Sequence, residues 1–343
     1  MCNIAGYIGT REATPILLEM IQAQEGLNGG FYSGLAVHDG KNLRYCKLRG
    51  DFALLQETYP METYTGTTGI IHSRTPSGGG DLWAHPFVAP SDTDIRLCYV
   101  ANGSFGRYAD RKESYNAIAD ALVAEGYDIP CKTDEFSSKY NRLSSGQCVH
   151  ISDVVCQTIY KYTQTGMATA DAMAQAFQDL PHEVVGLAIR KEFPDKIFFA
   201  RINMPMFVAF DETGAYLASS PTAFAPHITS FQLLPALSSG IIYQDHIEVT
   251  PFPNFPDTVR RFTCKTIEKA TRIILERLEQ GECDFVDLRK AVEAILPQDR
   301  LIQSAPVAYM AIYRLLQRNS IYLRKTEKTV GGQTAPAIRF RAI

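Results

Sequence analysis

The chain begins MCNIAGYIG (residues 1–9), and this stretch decides the fold we expect because it places a cysteine at position 2. Removal of Met1 would leave Cys2 with a free α-amine beside its thiol. An α-amine with an ordinary pKa of roughly 8 can accept the thiol proton near neutral pH, so one residue would supply both nucleophile and base. The alternative is that Cys2 only opens a buried strand formed by the apolar residues that follow.

Length and composition are those of an ordinary globular protein. The 343 residues exceed the usual size of one domain, so we expect one large domain and one smaller one. A net charge of −3 gives no general attraction to nucleic acid or membranes. The N-terminus lacks a secretory leader pattern and no run approaches about 18 apolar residues, which predicts a cytoplasmic protein without a membrane span. Eight scattered cysteines without a C-x-x-C pair predict reduced thiols, and we expect no metal or other cofactor.

Apolar spacing and turn signals predict an alternation of helices with many short strands. A helix is predicted over residues 14–24, followed by a hairpin of two strands around Asp39-Gly40. The other predicted helices of this part span residues 111–125 and 169–180, and a further helix begins near Asp153. The predicted strands are residues 34–38, 43–48, 67–73, 95–101, 184–190, 196–200, 205–210, 215–219 and 240–250. So many strands in succession indicate antiparallel sheets packed face to face.

Polar residues at the ends of two predicted strands are candidates for a functional site. Arg74 follows the strand at 67–73, and its planar guanidinium suits a carboxylate that comes either from the protein or from a ligand. Asn102-Gly103 follows the strand at 95–101 and can aim an amide and a backbone N–H at one oxygen, although Asn-Gly is also a common turn. Asp153 lies at a helix start, where helix capping is the simpler explanation.

A proline-rich segment, residues 251–256, predicts a boundary, so we place the domains at residues 1–252 and 253–343. Beyond it, helices are predicted at residues 257–280, 284–296 and 306–318, and strands at 321–325 and 338–342. Three helices and two strands in this order resemble a winged-helix domain. From Phe255 onward the chain holds 16 Lys and Arg against 10 Asp and Glu. This balance is compatible with DNA contact and equally with docking to a partner protein.

Five short motifs, taken in order, resemble the class II glutamine amidotransferases, which are N-terminal-nucleophile hydrolases, and in particular the glutaminase domain of the glucosamine-6-phosphate synthases. The motifs are Met1-Cys2-x-Ile4-x-Gly6, Ile71-His72-Ser73-Arg74-x-x-Ser77, Ala84-His85-Pro86, Asn102-Gly103 and Ser152-Asp153. The resemblance covers the first domain and implies an α+β fold, a four-layer sandwich in which two antiparallel sheets lie between helix layers. A small winged-helix-like domain would follow this sandwich.

The resemblance also implies a role for each matching residue. Cys2 would attack the side-chain amide of glutamine, and Asn102 with Gly103 would form the oxyanion hole. Arg74 would hold the α-carboxylate of glutamine and Asp153 its α-ammonium group. The residues expected to line the substrate pocket are Thr75, Ser77 and His85.

The chain departs from the family pattern in three places, one of which follows the arginine, where Thr75-Pro76 and Gly78-Gly79 replace the usual aromatic and Thr-His residues. Asn3 replaces the usual glycine after the cysteine, and residues 28–32 replace an Arg-Gly-Tyr-Asp-like loop. These changes leave room for an amide substrate related to glutamine.

The expected function is that of a glutamine amidohydrolase or amidotransferase that releases ammonia. The segment after residue 252 is shorter than the acceptor domains of the synthases, so a separate synthase subunit is the expected ammonia acceptor. The alternative is a glutamine-sensing or regulatory protein whose basic C-terminal domain binds DNA or a partner protein. A homo-oligomer is compatible with both hypotheses.

Overall fold

The computed structural model describes residues 2–76, 78–91, 94–135 and 140–343. The elements of the first half are, in chain order, β1 (Asn3–Gly9), α1 (Ala13–Gln24), β2 (Tyr32–His38), β3 (Leu43–Leu48), α2 (Phe52–Thr58), β4 (Thr68–Arg74), β5 (Phe87–Ala89), β6 (Leu97–Ser104), α3 (Lys112–Ala124), β7 (Asn141–Arg142), β8 (Cys148–Val149), α4 (Ile151–Gln164) and α5 (Thr169–Asp179). Those of the second half are β9 (Glu183–Arg190), β10 (Phe193–Arg201), β11 (Phe207–Asp211), β12 (Gly214–Ala218), β13 (Phe231–Leu233), β14 (Ser238–Ile242), β15 (Ile247–Pro251), α6 (Cys264–Glu279), β16 (Cys283–Asp284), α7 (Phe285–Glu293), α8 (Ser304–Gln317), β17 (Ile321–Val330) and β18 (Gln333–Ala342).

Two antiparallel sheets form the centre of the molecule. The first has the strand order β13-β11-β12-β1-β4-β2-β3, and the second has the order β15-β14-β10-β9-β6-β5. Their facing sides share one cluster of buried aliphatic residues, which includes Ile4, Ile70, Val100, Leu187 and Leu217. Helix α1 covers the outer side of the first sheet, while α4 and α5 cover the outer side of the second. The predicted α+β arrangement of two antiparallel sheets between helices is therefore confirmed.

Strand register brings the start of the chain to one end of the gap between the sheets. Strand β1 lies between β12 and β4, and Ile4 is paired with His72 of β4. Because side chains alternate along a strand, Cys2 points to the same inner side as Ile4, and Arg74 to the same side as His72. Asn102 follows Val100 on the inner side of β6 in the facing sheet. The pleat therefore directs these polar side chains toward one another.

Most predicted elements are confirmed to within a few residues. Strands β17 and β18 are longer than predicted, with 10 residues each in place of the expected 321–325 and 338–342. Two further elements differ. The predicted strand at residues 240–250 is two strands, β14 and β15, because a turn closed by a 2.9 Å hydrogen bond from the Tyr243 N–H to the His246 carbonyl separates them. The predicted helix at residues 257–280 begins only at Cys264, where Thr263 caps its first turn. Helix α2 was not expected because it buries only Phe52 and Leu55.

The elements after residue 252 pack against the helix layer of the first sheet. Apolar residues of α6, α7, α8 and the β17–β18 hairpin share one continuous buried cluster with α1. The proline-rich segment is not a detached linker, since Phe252 is buried against the core of the second sheet. Helix α8 is buried along most of its length. Among the described residues, no helix combines the length and apolarity needed to cross a bilayer.

Candidate active site

A cavity of about 300 Å³ opens at the end of the gap between the sheets where the chain begins. This volume is at the lower end of the range for small-molecule sites. The predicted site residues that line it are Cys2, Arg74, Thr75, His85 and Gly103. Cys2, which precedes β1, thus meets residues of β4 and β6 at one place.

The backbone nitrogen of Cys2 is held by Asn102, which immediately precedes Gly103. This nitrogen donates a 2.7 Å hydrogen bond to Asn102 Oδ1. The amide is then oriented, and its Nδ2 is buried without a hydrogen-bond partner in the described part of the chain. Leaving a buried donor unpaired costs about 1–3 kcal/mol, so such a donor indicates a place for an oxygen of a ligand.

The environment of the Cys2 thiol favours its ionised form. Burial opposes ionisation, but the charge of His72 and its hydrogen bonding outweigh burial and lower the pKa of the thiol to about 6. The backbone N–H of Thr75 acts in the same direction, and Thr75 Oγ1 lies 4.0 Å from the sulfur. Burial instead raises the pKa of the Cys46 thiol to about 11. The lowered pKa favours the thiolate, which is the nucleophilic form of the side chain.

The Arg74 guanidinium is a buried cation with neutral neighbours. It donates 3.2 Å hydrogen bonds to the Gly78 carbonyl and to the Tyr140 hydroxyl, and it lies 4.4 Å from the centre of the Tyr32 ring. Within residues 2–76, 78–91, 94–135 and 140–343, no carboxylate forms an ion pair with it. A buried charge that lacks a counter-ion is costly, so the guanidinium fits the carboxylate of a ligand better than a structural role.

Two neutral histidines form a wall of the cavity. Burial lowers the pKa of both His85 and His150 well below the usual range for histidine. The His85 ring stacks on His72 with ring centres 3.9 Å apart. The His150 Nδ1 accepts a 3.1 Å hydrogen bond from the Ser152 N–H and caps α4. The cap of this helix is therefore His150, and the capping explanation for Asp153 does not hold.

Two predicted site residues that the structure describes lie outside the cavity lining: Asn102, which accepts the hydrogen bond from Cys2, and Asp153. The Asp153 carboxylate is fully buried and accepts hydrogen bonds of 3.1 Å from the Cys131 N–H and 3.3 Å from Gln157 Nε2. Burial raises the pKa of this carboxyl group. The residue begins a helix as expected, but its side chain is engaged beside the cavity rather than in it. Ser77, the remaining predicted residue, lies outside the described residues, as does Met1.

Sequence reasoning assigned no role to two residues near Cys2, Asn3 and His72. Asn3 Oδ1 accepts hydrogen bonds from the N–H groups of Asn28 and Gly29, at 3.3 and 3.0 Å, so this departure from the family pattern holds the altered loop. The charge of His72 lowers the pKa of the Cys2 thiol. Its alternation with Arg74 on one strand was the signal that could have identified it.

Two antiparallel sheets between helices, with a cysteine at the start of a central strand, define the N-terminal-nucleophile hydrolase fold. Two solved structures share the fold at 15% identity. One is a glutamine phosphoribosylpyrophosphate amidotransferase from B. subtilis complexed with ADP and GMP, which matches over 92% of this chain and 64% of its own with a TM-score of 0.57. The other is described as the allosteric regulatory enzyme of purine biosynthesis and matches over 90% and 63% with a TM-score of 0.59.

The chain is also similar in sequence to curated proteins that share one name. A glutamine–fructose-6-phosphate aminotransferase (isomerizing) of Chlorobaculum tepidum is 25% identical over 303 residues, which are 85% of this chain and 43% of that protein. Its counterpart in Bacteroides thetaiotaomicron is 29% identical over 229 residues, or 65% of this chain and 32% of that protein. No protein-family model matches the chain. The chain is thus a relative of the class II glutamine amidotransferases and spans less than half the length of these relatives.

Proposed function

We propose that this protein is a glutamine amidohydrolase or amidotransferase that releases ammonia from the glutamine side chain through a thioester on Cys2. The observation that carries the proposal is the orientation of Asn102, whose Oδ1 holds the nitrogen of Cys2 while its buried Nδ2 has no partner among the described residues. The names of the sequence relatives, which pair glutamine with an amino transfer, support glutamine as the amide.

The reaction needs a nucleophile, an oxyanion hole and a group that moves protons. The Cys2 thiolate attacks the amide carbon, and the oxyanion accepts hydrogen bonds from Asn102 Nδ2 and the Gly103 N–H. The C–N bond then breaks, and ammonia leaves with a proton from the α-ammonium group of Cys2. Water attacks the thioester with that α-amine as base, the C–S bond breaks, and glutamate is released. A single oxyanion donor contributes about 3–4 kcal/mol in comparable acyl transfers.

The substrate would be oriented by its amino-acid head. The buried Arg74 fork suits a two-point contact with the α-carboxylate of glutamine, and the Tyr32 ring beneath it holds the fork in place. The role of Asp153 with the α-ammonium group stays a prediction, since its side chain does not line the cavity. A related amide with the same carboxylate would be oriented in the same way.

The mechanism requires that Met1 is removed, because only then is the Cys2 nitrogen an amine. Intact mass of the purified protein should be lower than that of the full sequence by one methionine residue. A protein that keeps Met1 would rule out the α-amine as proton carrier.

Glutaminase activity and labelling of Cys2 test the proposal together. We expect glutamine-dependent ammonia release that Cys2→Ala abolishes without loss of fold, and covalent labelling of Cys2 by a glutamine-mimicking diazoketone. Cys264→Ala is the matched control, since Cys264 is an exposed thiol remote from the cavity lining, and this variant should keep both properties. Ammonia release that survives in Cys2→Ala would refute the proposed nucleophile.

For the segment from residue 253 to 343 we propose a small winged-helix-like domain. Support comes from the order α6, β16, α7, α8, β17, β18 and from the pairing of both β16 and β17 with β18. The boundary can be tested by limited proteolysis, which should cut first within residues 252–263 if the boundary is placed correctly. A first cut inside α1 or β4 would contradict it.

The packing of the C-terminal helices argues against the alternative of a glutamine-sensing protein that binds DNA. A helix that enters a DNA groove must be exposed, whereas α8 is buried against the first sheet's helix layer. We therefore expect no salt-dependent binding to duplex DNA in a mobility-shift assay. Three further expectations stay predictions. Co-purification would test for a separate synthase subunit that accepts the ammonia. The mass in solution would test for a homo-oligomer, and cell fractionation would test the cytoplasmic location.

A further inference from the structure

The side chain of Gln333, the first residue of β18, joins the C-terminal hairpin to the segment that precedes β2. Its Nε2 donates a 3.0 Å hydrogen bond to the Phe31 carbonyl oxygen, and its Oε1 accepts a 3.2 Å hydrogen bond from Arg49 Nε. A carbonyl can only accept and a guanidinium can only donate, so these two contacts fix which end of the amide faces which partner. One side chain of the hairpin therefore holds two residues that lie far from it in sequence.

Phe31 is bound in turn to Arg74. The Phe31 N–H donates a 3.1 Å hydrogen bond to the Arg74 carbonyl oxygen, and the next residue, Tyr32, is paired with Arg74 in the register of β2 and β4. The Tyr32 hydroxyl donates a 2.9 Å hydrogen bond to the Gly79 carbonyl, and the centre of its ring lies 4.4 Å from the Arg74 guanidinium. The position of the Phe31 backbone therefore determines where the Tyr32 ring supports the guanidinium.

The hairpin also packs against this segment. The buried cluster that joins them consists of Phe31, Tyr32, Ala84 and Ala335. A Cβ atom added at Gly30 would lie 3.2 Å from the Cβ atom of Ala335, so the two stretches of chain approach closely. The guanidinium of Arg49 lies 5.9 Å from the centre of the Tyr32 ring, and Gln333 Oε1 binds this second cation. The surroundings of Tyr32 thus depend on Gln333 at two points.

We propose that Gln333 is a positioning residue that holds Arg74 in the orientation for binding a substrate carboxylate. It acts through Phe31 and Tyr32, since Gln333 is not among the described residues that line the cavity. A two-point contact requires the planar fork to face the carboxylate, and a displaced Tyr32 ring would let the fork turn. The C-terminal hairpin thereby completes the substrate site of the first domain. This inference rests on the proposed role of Arg74 in carboxylate binding.

The variant Gln333→Met keeps the length of the side chain and removes both of its hydrogen bonds. Gln178→Met is a matched control. Gln178 in α5 is also half-buried, and its Nε2 donates a 3.2 Å hydrogen bond to the Ala174 carbonyl, away from the described cavity lining. Both variants remove a half-buried amide that donates to a backbone carbonyl, but only Gln333→Met loosens the support of Arg74.

The first test compares two alkylating reagents at Cys2. Iodoacetate carries a carboxylate that Arg74 can bind in the same cavity, whereas iodoacetamide is neutral. Mass spectrometry of the Cys2 peptide gives the ratio of the two rates without interference from the exposed Cys264. We expect the iodoacetate-to-iodoacetamide ratio to fall by about 3- to 10-fold in Gln333→Met, because the contact with the carboxylate is weakened rather than lost. Gln178→Met should keep the wild-type ratio, and an unchanged ratio in folded Gln333→Met would overturn the proposal.

The second test asks whether Gln333 acts through Arg74. In Gln333→Met the KM for glutamine should rise by about 3- to 10-fold with little change in kcat. In the Arg74→Lys background the same substitution should change KM and the alkylation ratio by less than about two-fold, because a lysine ammonium has no planar fork to orient. Equal effects in the two backgrounds would show that Gln333 acts independently of Arg74 and would overturn the proposal.

The alkylation ratio reports Arg74 whether or not glutamine is the substrate. A lowered ratio in a protein that releases no ammonia from glutamine would thus uphold the role of Gln333 and refute the proposed function instead. Ammonia release with a ratio and a KM that Gln333→Met leaves unchanged would do the reverse. If Gln333→Met does not fold, as judged by circular dichroism, the same comparisons are made with Gln333→Glu, which can still accept from Arg49 but cannot donate to the Phe31 carbonyl.

Discussion

The side-chain amide of Asn28 donates a 2.8 Å hydrogen bond to the hydroxyl of Tyr309 in α8. The backbone N–H of Asn28 in turn binds the side chain of Asn3, which adjoins the nucleophile. A residue of the last helix therefore supports the loop that replaces the family's Arg-Gly-Tyr-Asp-like segment. The C-terminal elements thus pack against a loop that contacts the residue next to Cys2.

Tyr309→Phe should weaken this support. The ring would keep its stacking on Phe285, with centres 4.0 Å apart, but Asn28 Nδ2 would remain buried without an acceptor. We expect a loss of about 1–2 kcal/mol in the free energy of unfolding and a lower kcat/KM for ammonia release. Urea denaturation and a coupled ammonia assay measure the two effects. Tyr322→Phe, at an exposed tyrosine of β17, is the control, and equal behaviour of both variants would contradict the coupling.

Asn102→Asp tests the oxyanion hole at a single atom. The aspartate keeps an oxygen that can accept from the Cys2 nitrogen but loses the N–H groups of Nδ2. We expect kcat to fall by roughly 10²- to 10³-fold while KM changes little, because the lost donor acts on the transition state. Thermal unfolding checks that the variant is folded. A folded variant with wild-type kcat would remove Asn102 from the mechanism.

Arg74→Lys tests carboxylate binding. Lysine keeps the charge but not the planar fork, so KM for glutamine should rise by about 10- to 100-fold with a smaller change in kcat. An amide substrate without the α-carboxylate should be a poor substrate of the wild type and should not distinguish the two proteins. If both substrates are affected equally, Arg74 serves the structure of the cavity and not the carboxylate.

Asp153→Asn separates a structural role from a role in binding. Asparagine can still accept from the Cys131 N–H, but it brings an N–H₂ group into a site that offers the Gln157 amide as a donor. Because the side chain does not line the cavity, we expect reduced thermal stability and a KM for glutamine close to the wild-type value. A large rise in KM in a protein of unchanged stability would instead support the predicted contact with the substrate ammonium group.

Glu25 makes stability depend on pH. Burial, with the nearby charge of Asp51, raises the pKa of its carboxyl to about 7. The native protein then holds a proton that the unfolded chain releases near pH 4.5, so stability from this group is full below that pH and is lost as pH rises through 7. The loss is on the order of 3 kcal/mol.

Glu25→Gln should therefore flatten the pH profile. Its amide oxygen can still accept from the Phe52 N–H and the Ser73 hydroxyl, which now bind the Glu25 carboxylate at 3.2 Å. The difference in urea stability between pH 5 and pH 8 should shrink relative to the wild type. Glu19→Gln, at an exposed position of α1, the helix that Glu25 follows, should leave this difference unchanged. An identical profile for wild type and Glu25→Gln would disprove the assignment.

The local part of the fold could be predicted from the sequence, whereas the long-range part could not. Short apolar runs marked β2 and β4, which are buried on both sides, and a helical stripe of apolar residues marked α1. No local pattern indicates that α1 and α8 share one buried apolar cluster, since these helices are roughly 300 residues apart in sequence. The same limit applies to the site. Arg74 and Asn102 stood out as polar residues at strand ends. The effect of His72 on the pKa of the Cys2 thiol, by contrast, depends on the pairing of β1 with β4.

The apolar cluster shared by α1 and the C-terminal helices has a consequence for any attempt to transfer residues 1–252 alone to another protein. A chain cut after residue 252 would expose an apolar surface that includes Ile16, Leu17 and Met20. Such a fusion protein would aggregate unless the recipient protein supplied a complementary apolar surface. The stability of residues 1–252 therefore depends on the cover that the C-terminal elements provide.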